Sequence, residues 1–79
     1  MNKLFPNASK AIKHALEYNE AQHGKGVHLK DYEYEFDKGS NHLVCASHGL
    51  DNEEDGTTHL CSAVIRLLKA LEIQEANND

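Results

Sequence analysis

The most reactive side chains in this sequence are two cysteines and a group of histidines in its second half. Cys45 is followed three positions later by His48, His59 is followed two positions later by Cys61, and His42 lies close by. Two thiolates and two imidazoles form a ligand set that suits tetrahedral zinc. Their spacing opposes a shared site, because residues three apart on a strand point to opposite faces. We therefore keep a small zinc-stabilised domain as an alternative, with Cys45, His48, His59 and Cys61 as its ligands.

A catalytic role for Cys45 has little support. A nucleophilic thiolate needs an imidazole within hydrogen-bond reach, and a three-residue offset along a strand does not bring His42 or His48 to the side of the thiol. The sequence also contains no glycine-rich phosphate loop, dinucleotide-binding fingerprint or nucleophile elbow. We expect no enzymatic activity, no catalytic residue and no cofactor, with both cysteines acting as small apolar side chains.

Acidic side chains are the second signal. Alternate positions from 31 to 37 are acidic, and another cluster of acids follows at positions 51 to 55. Carboxylates on one side of a strand lie about 6.6–6.8 Å apart, and such a row can dock on a basic surface. A solvated face that keeps the chain soluble explains the same pattern. The residues expected to bind a partner are Asp31, Glu33, Glu35, Asp37, Glu53 and Glu54.

Helices at both ends of the chain must position these residues. Apolar residues recur at helical spacing over about 8–23, with Asn7 as a candidate N-cap and Gly24 just beyond the end. A second helix is predicted from Asp55 or Thr57 to about Ile73. Its expected core residues, together with those of the first helix, are Ile12, Leu16, Val64, Leu67, Leu68 and Leu71.

Between the helices the pattern predicts strands. Tyr32, Tyr34 and Phe36 alternate with acids, which is typical of a half-buried strand within 27–37. Residues 37–40 form a candidate hairpin turn, and 42–49 a candidate second strand. The expected fold is α+β, of order α-β-β-(β)-α, with both helices on one face of a two- or three-stranded antiparallel sheet.

The chain is expected to form a single domain over 1–79, with an ordered core of about 5–73 and a frayed tail at 74–79. Its element order resembles the double-stranded-RNA-binding domain from about Pro6 to Ile73. The segments that carry the resemblance are Tyr34-Glu35-Phe36, Val44-Cys45-Ala46 and Ala63-Val64-Ile65-Arg66-Leu67-Leu68-Lys69-Ala70-Leu71. The resemblance implies an α-β-β-β-α fold. That family grips phosphates with lysines at the start of its last helix, and here the corresponding stretch is Thr57-Thr58-His59-Leu60-Cys61, so no RNA-binding residue is carried over.

Composition limits the remaining function classes. The chain has 79 residues and a formal net charge of −5, which disfavours nucleic acid as a partner. No apolar run is long enough for a signal peptide or a membrane span, so we expect a cytoplasmic protein. Small acidic chains of this kind resemble accessory proteins of phages and mobile elements, including anti-restriction and anti-CRISPR inhibitors.

The leading hypothesis is therefore a non-enzymatic interaction module, a small regulator or inhibitor that docks through an acidic sheet face on a protein with a basic surface. A homodimer is a further option, because a chain this short buries a smaller fraction of its surface on folding than a larger domain does. The main alternative is a nucleic-acid-binding module that uses Lys10 and Lys13 of the first helix.

Overall fold

The regular elements in the described part of the chain are all helices. The computed structural model describes residues 3–26, 29–49 and 57–78. Within these ranges the elements are α1 (Pro6–His23), α2 (Tyr32–Ser47) and α3 (His59–Asn77). No strand is present in the described ranges. The predicted α+β fold with an antiparallel sheet is therefore wrong, and so is the resemblance to the double-stranded-RNA-binding domain, whose topology requires strands between its helices.

The first helix is close to its predicted position but starts differently. α1 begins at Pro6, with Phe5 as an N-cap that offers no side-chain hydrogen bond. Proline suits this first position, because its missing N–H would have no partner inside the helix. At the other end the N–H of Gly24 donates to the carbonyl of Glu20 at 2.9 Å, and the φ of Gly24 is 97°. A glycine tolerates this left-handed conformation, which ends α1.

The last helix is longer than predicted. The Thr58 side chain caps α3 by accepting a hydrogen bond from the backbone N–H of Cys61 at 3.0 Å. α3 then continues to Asn77, beyond the predicted end at Ile73. The predicted cap at Thr57 is thus displaced by one residue, and the alternative cap at Asp55 lies outside the described residues.

The two predicted strands and their hairpin turn are one helix, α2. Its start is fixed by Asp31, whose carboxylate accepts a hydrogen bond from the backbone N–H of Tyr34 at 2.7 Å. Glu33 and Glu35 in the first turn carry the negative charge that a helix N-terminus favours. The short alternation of aromatic and acidic residues also fits a helix, because Tyr32 and Phe36 lie four residues apart and their rings stack at 5.9 Å.

α2 and α3 pack against each other in antiparallel orientation. Glu35 of α2 contacts Arg66, whereas His42 contacts His59 nearer the start of α3. Between these contacts Gly39 is buried, and a Cβ added there would lie 3.0 Å from the Cγ and Cδ2 atoms of Leu67. The glycine that suggests a turn in the sequence therefore lies inside a helix, where it lets α3 approach closely.

The buried apolar core is small. Among the described residues it consists of Ala15, Ala63, Ile65 and Ala70. Two of these alanines belong to α3 and share one helix face, on which a close neighbour fits. The predicted core is wrong in part, because α3 turns its larger residues outward: Val64 and Leu68 are each 38% exposed and Leu71 is 49% exposed. The other predicted core residues, Ile12, Leu16 and Leu67, are half-buried.

α1 covers one side of α3. Ile12 and Leu16 of α1 line a shallow cavity together with Ile65 and Leu68 of α3 and Leu29. We call the antiparallel pair of helices α2 and α3 the α2–α3 hairpin. The contact with α1 covers one side of this hairpin. None of the helices in the described part of the chain combines the length and the apolar character that crossing a membrane requires.

Candidate functional site

A buried ion pair joins α2 to α3 on the side nearer α1. The side chain of Glu35 is fully buried, and its Oε1 atom lies 2.8 Å from Nη1 of Arg66, whose side chain is 30% exposed. The second carboxylate oxygen accepts a hydrogen bond from the backbone N–H of Lys30 at 3.0 Å. Both oxygens of Glu35 thus have partners, which a carboxylate removed from water requires.

The protonation of Glu35 reflects these contacts. Burial alone raises the pKa of Glu35, because it disfavours the charged carboxylate. The hydrogen bonds from Arg66 and from the Lys30 backbone, with the positive charges of Arg66 and Lys69, outweigh burial and hold the pKa below its usual value. Glu35 is therefore a structural anion, and its charge fixes the position of the Arg66 guanidinium.

A polar cleft opens beside this pair, between α1 and the hairpin. We call it the cationic cleft; it has a volume of about 360 Å³ and is lined by residues that include Asn19, Lys30, Tyr34, Arg66 and Lys69. Burial lowers the pKa of Lys69, and the nearby charge of Arg66 lowers it further, while Glu35 partly offsets the effect. The positive charges at this cleft therefore exceed the one negative charge that Glu35 supplies.

The aromatic ring of Tyr34 forms part of the same wall. The Lys38 ammonium lies 5.6 Å from the centre of the ring and the Arg66 guanidinium lies 5.7 Å from it. Both separations are within the range of cation–π attraction, which adds positive charge close to the cleft. Tyr34 and Lys38 are four residues apart and share one flank of α2.

Large apolar side chains are exposed on another part of the hairpin. On α2 they recur at helical spacing, and on α3 they follow the alternating spacing of four, three and four residues that is typical of a helix packed on another helix. We call this surface the apolar face; it consists of Tyr32, Phe36 and Leu43 of α2 and Leu60, Val64, Leu67 and Leu71 of α3, of which Leu67 is half-buried and the others are exposed. Phe36 is 45% exposed and Leu60 is 56% exposed.

The two rows of the apolar face point to the same side of the hairpin. Each residue advances about 100° around its helix axis. Measured from the line along which α2 and α3 touch, the α2 row is rotated by roughly 70° and the α3 row by roughly 90°, each in the same sense about its own helix axis. For antiparallel helices, rotations of the same sense lead to the same side. Ile65 and Lys69, which face α1, are rotated in the opposite sense, so the apolar face lies away from α1.

The edges of the apolar face are acidic. Glu33 lies along its α2 edge, Asp37 lies one turn further on the outer surface of α2, and Glu75 lies near the end of its α3 edge; all three are exposed. Along the described lengths of α2 and α3, no lysine or arginine occupies these edges. The face therefore combines an apolar centre with a negative border.

The predicted row of acids does not exist as one surface. Asp31 caps α2, Glu35 is buried against Arg66, and Glu33 and Asp37 remain exposed. The other two predicted partner-binding residues, Glu53 and Glu54, lie outside the described residues. A helix separates positions that a strand would align, because residues two apart on a helix differ by about 200° around its axis.

The histidines and cysteines are arranged differently from the zinc hypothesis. The Nδ1 atoms of His42 and His59 lie 3.1 Å apart, and their ring centres are 5.3 Å apart. Cys45 and Cys61 are half-buried and no disulfide joins them, and His48 is exposed at the C-cap of α2. In the described part of the chain no three histidine, cysteine or acidic side chains converge as a metal site would require.

Sequence reasoning therefore missed both surfaces and the contact between His42 and His59. The missed signal was a four-three-four spacing in the middle of the chain, formed by Glu35, Gly39, His42 and Ala46, which is the seam that faces α3. None of these residues is a large hydrophobe, so the usual apolar periodicity does not reveal it.

Comparison with known proteins gives no match. No protein-family model matches the chain, and neither a curated protein nor a solved structure resembles it closely enough to count as similar. Function must therefore be argued from the two surfaces themselves.

Proposed function

We propose that this chain is a non-enzymatic interaction module that binds a partner protein through the apolar face. The partner contributes an amphipathic helix whose apolar stripe is flanked by lysine or arginine. The observation that carries the proposal is the exposure of large side chains such as Phe36, Leu60 and Leu71 on one side of the α2–α3 hairpin. Contiguous apolar patches of this kind mark interaction sites more often than isolated exposed hydrophobes do.

The size of the buried core supports this role. In the described part of the chain four residues form the buried apolar core, and three of them are alanines. Alanine contributes little apolar area, so the hairpin keeps most of its large apolar side chains for a contact outside the chain. A helix laid along the face would bury them at the spacing that helices use to pack on one another.

The acidic border selects the chemistry of the partner. Glu33, Asp37 and Glu75 would lie beside the flanks of a docked helix, and complementary charge across an interface directs encounter and fixes orientation. A second copy of the chain would instead bring acids against acids, in a pair whose summed formal charge is twice the −5 of one chain. The border therefore favours a basic partner over self-association.

A pair of synthetic helical peptides tests the proposal. Both carry leucine at heptad spacing, one with lysine and the other with glutamate at the flanking positions, and binding is measured by fluorescence anisotropy. The lysine peptide should bind at least about tenfold more tightly than the glutamate peptide, and its affinity should fall as salt rises, because salt screens exposed charges. Equal affinities for the two peptides, or no binding of either, would contradict the proposal.

Variants locate the contact. Leu60→Ser with Leu71→Ser should abolish binding of the lysine peptide, whereas Leu4→Ser, a control at an exposed apolar residue outside the face, should leave it unchanged. Sedimentation of the chain alone tests whether a second copy of the chain covers the apolar face instead. A dimer that Leu71→Ser dissociates and that salt strengthens would mean that a second copy covers the face, and the basic partner would be wrong.

A further inference from the structure

The cationic cleft lies on the side of the hairpin that α1 covers, apart from the apolar face. It gathers Lys30, Arg66 and Lys69 around one cavity of about 360 Å³. These are three of the eight lysine and arginine residues of a chain that carries 13 acids. A net acidic protein that concentrates its cations in one concave site has the polarity of an anion-binding pocket.

We propose that the cationic cleft binds a small anion that carries a phosphate group, held by Arg66 with Lys30 and Lys69. Free phosphate and small phosphorylated compounds share this chemistry. The site is independent of the proposed docking of a basic helix, because none of its lining residues belongs to the apolar face.

The charge balance of the cleft fits a doubly charged anion. The described residues that line the cleft include Lys30, Arg66 and Lys69 and no acid, and the buried carboxylate of Glu35 beside them supplies one negative charge, so these four side chains carry a net charge of two positive. A phosphate monoester carries about −1.5 to −2 at neutral pH. A bound phosphate would therefore neutralise the excess, whereas a single carboxylate would not.

The geometry of Arg66 suits such a ligand. One of its nitrogens donates to Glu35 at 2.8 Å, and a guanidinium has five N–H donors in a fixed plane. Glu35 thus holds the group in place while other donors remain to meet a phosphate oxygen. The amide of Asn19, which also lines the cleft, offers a neutral hydrogen-bond donor beside them.

Crowding of the cations supports the assignment independently. The pKa of Lys69 is lowered by burial and by the charge of Arg66. Such repulsion lowers the stability of the fold, and an anion that enters the cleft relieves it. Anion binding should therefore raise the melting temperature of the protein.

Titration with inorganic phosphate and pyrophosphate tests the proposal, with sodium chloride and sodium acetate at matched ionic strength as references. Isothermal titration calorimetry should give saturable binding of phosphate or pyrophosphate at a dissociation constant of about 1 mM or tighter, and no saturable binding of acetate. Ribose 5-phosphate, tested in the same way, separates the two ligand sources: binding stronger than that of free phosphate identifies a phosphorylated compound. Absence of saturable binding by all three phosphates would overturn the proposal.

Lysine variants assign the binding to the cleft. Lys69→Met keeps the aliphatic stem and should weaken phosphate binding by about tenfold or more. Lys30→Met is a second test, at an exposed residue whose loss should leave folding intact. The matched control is Lys10→Met with Lys13→Met, two exposed lysines of α1 outside the cleft, which should change affinity by less than about twofold. Equal losses in the control and in Lys69→Met would show nonspecific attraction and overturn the site.

Discussion

The two sides of the α2–α3 hairpin differ in almost every physical property, although they share the same helices. The side that α1 covers holds a buried ion pair, a cleft and crowded cations, while the opposite side holds exposed leucines and aromatic rings with an acidic border. Tyr34 belongs to the first side and Phe36 to the second. On a helix, two residues of separation are enough to assign neighbouring aromatics to opposite surfaces with different chemistry.

The two sides should differ most in how much stability is lost when an apolar side chain is truncated to alanine. Ile65 is buried against α1, so Ile65→Ala should lower the free energy of unfolding by about 2–5 kcal/mol. Leu71 is 49% exposed on the apolar face, so Leu71→Ala should cost less than about 1 kcal/mol. Urea unfolding followed by circular dichroism measures both values. Equal losses would mean that something already covers the apolar face in the isolated chain.

The ion pair on the covered side gives the next largest effect. Arg66→Met leaves the carboxylate of Glu35 buried without its charged partner and should cost about 3 kcal/mol, at the low end for buried pairs because Arg66 is partly exposed. Removing both charges together, as Glu35→Leu with Arg66→Met, should cost clearly less. A double variant as unstable as Arg66→Met alone would show that packing, and not the unpaired charge, is responsible.

Close approach of the helices provides a third test. A side chain at Gly39 would meet Leu67 at 3.0 Å and the Cβ of Arg66 at 3.3 Å, so Gly39→Val should destabilise the hairpin by about 1–3 kcal/mol. The neighbouring Ser40 points away from the seam, and Ser40→Val should have a smaller effect. A Gly39→Val variant that is more stable than the wild type would show that α2 and α3 do not approach each other this closely.

Acid should affect the covered side through Glu35. Its pKa in the folded chain is lower than the ordinary value of 4.5, so the carboxylate contributes stability above the unfolded pKa. That contribution is lost as the pH falls from about 4.5 through the folded pKa. The free energy of unfolding should therefore decline over this range in the wild type, and the decline should be shallower in Glu35→Gln. Identical profiles for the two proteins would remove Glu35 from this role.

Metal removal should have no effect. In the described part of the chain no three candidate ligands converge, and no disulfide joins Cys45 to Cys61. Treatment with a chelator should leave the melting temperature unchanged, and elemental analysis should find no stoichiometric zinc. Zinc at one equivalent, lost together with stability on chelation, would favour the alternative of a zinc-stabilised domain.

The sequence predicted the outer helices better than the centre, for a physical reason. α1 and α3 carry apolar residues at helical spacing and end at recognisable signals such as Gly24, and both were predicted near their true positions. In α2 the residues that face α3 are Glu35, Gly39, His42 and Ala46, which lack large apolar side chains. The visible aromatic alternation at 32–36 belongs to surfaces that face outward, so it predicted a strand that does not form.

The error about α2 also affects the prediction of the partner-binding acids and of the core. A strand would align Glu35 with the exposed acids Glu33 and Asp37, whereas the helix turns it inward to Arg66. The core prediction placed Leu71 inside because apolar residues surround most of α3, and one sequence does not show which of its sides α2 will cover. Packing partners distant in sequence decide such questions, and short-range patterns do not contain them.

The most direct test of the account is a map of backbone amide shifts by nuclear magnetic resonance in one labelled sample, to which the leucine–lysine peptide and then pyrophosphate are added. Two separate sets of shifted amides are expected. The peptide should shift residues near Phe36, Leu60 and Leu71, and pyrophosphate should shift residues near Lys30 and Lys69. Overlapping sets, or peptide shifts concentrated on the cationic cleft, would contradict the assignment of different binding roles to the two sides of the hairpin.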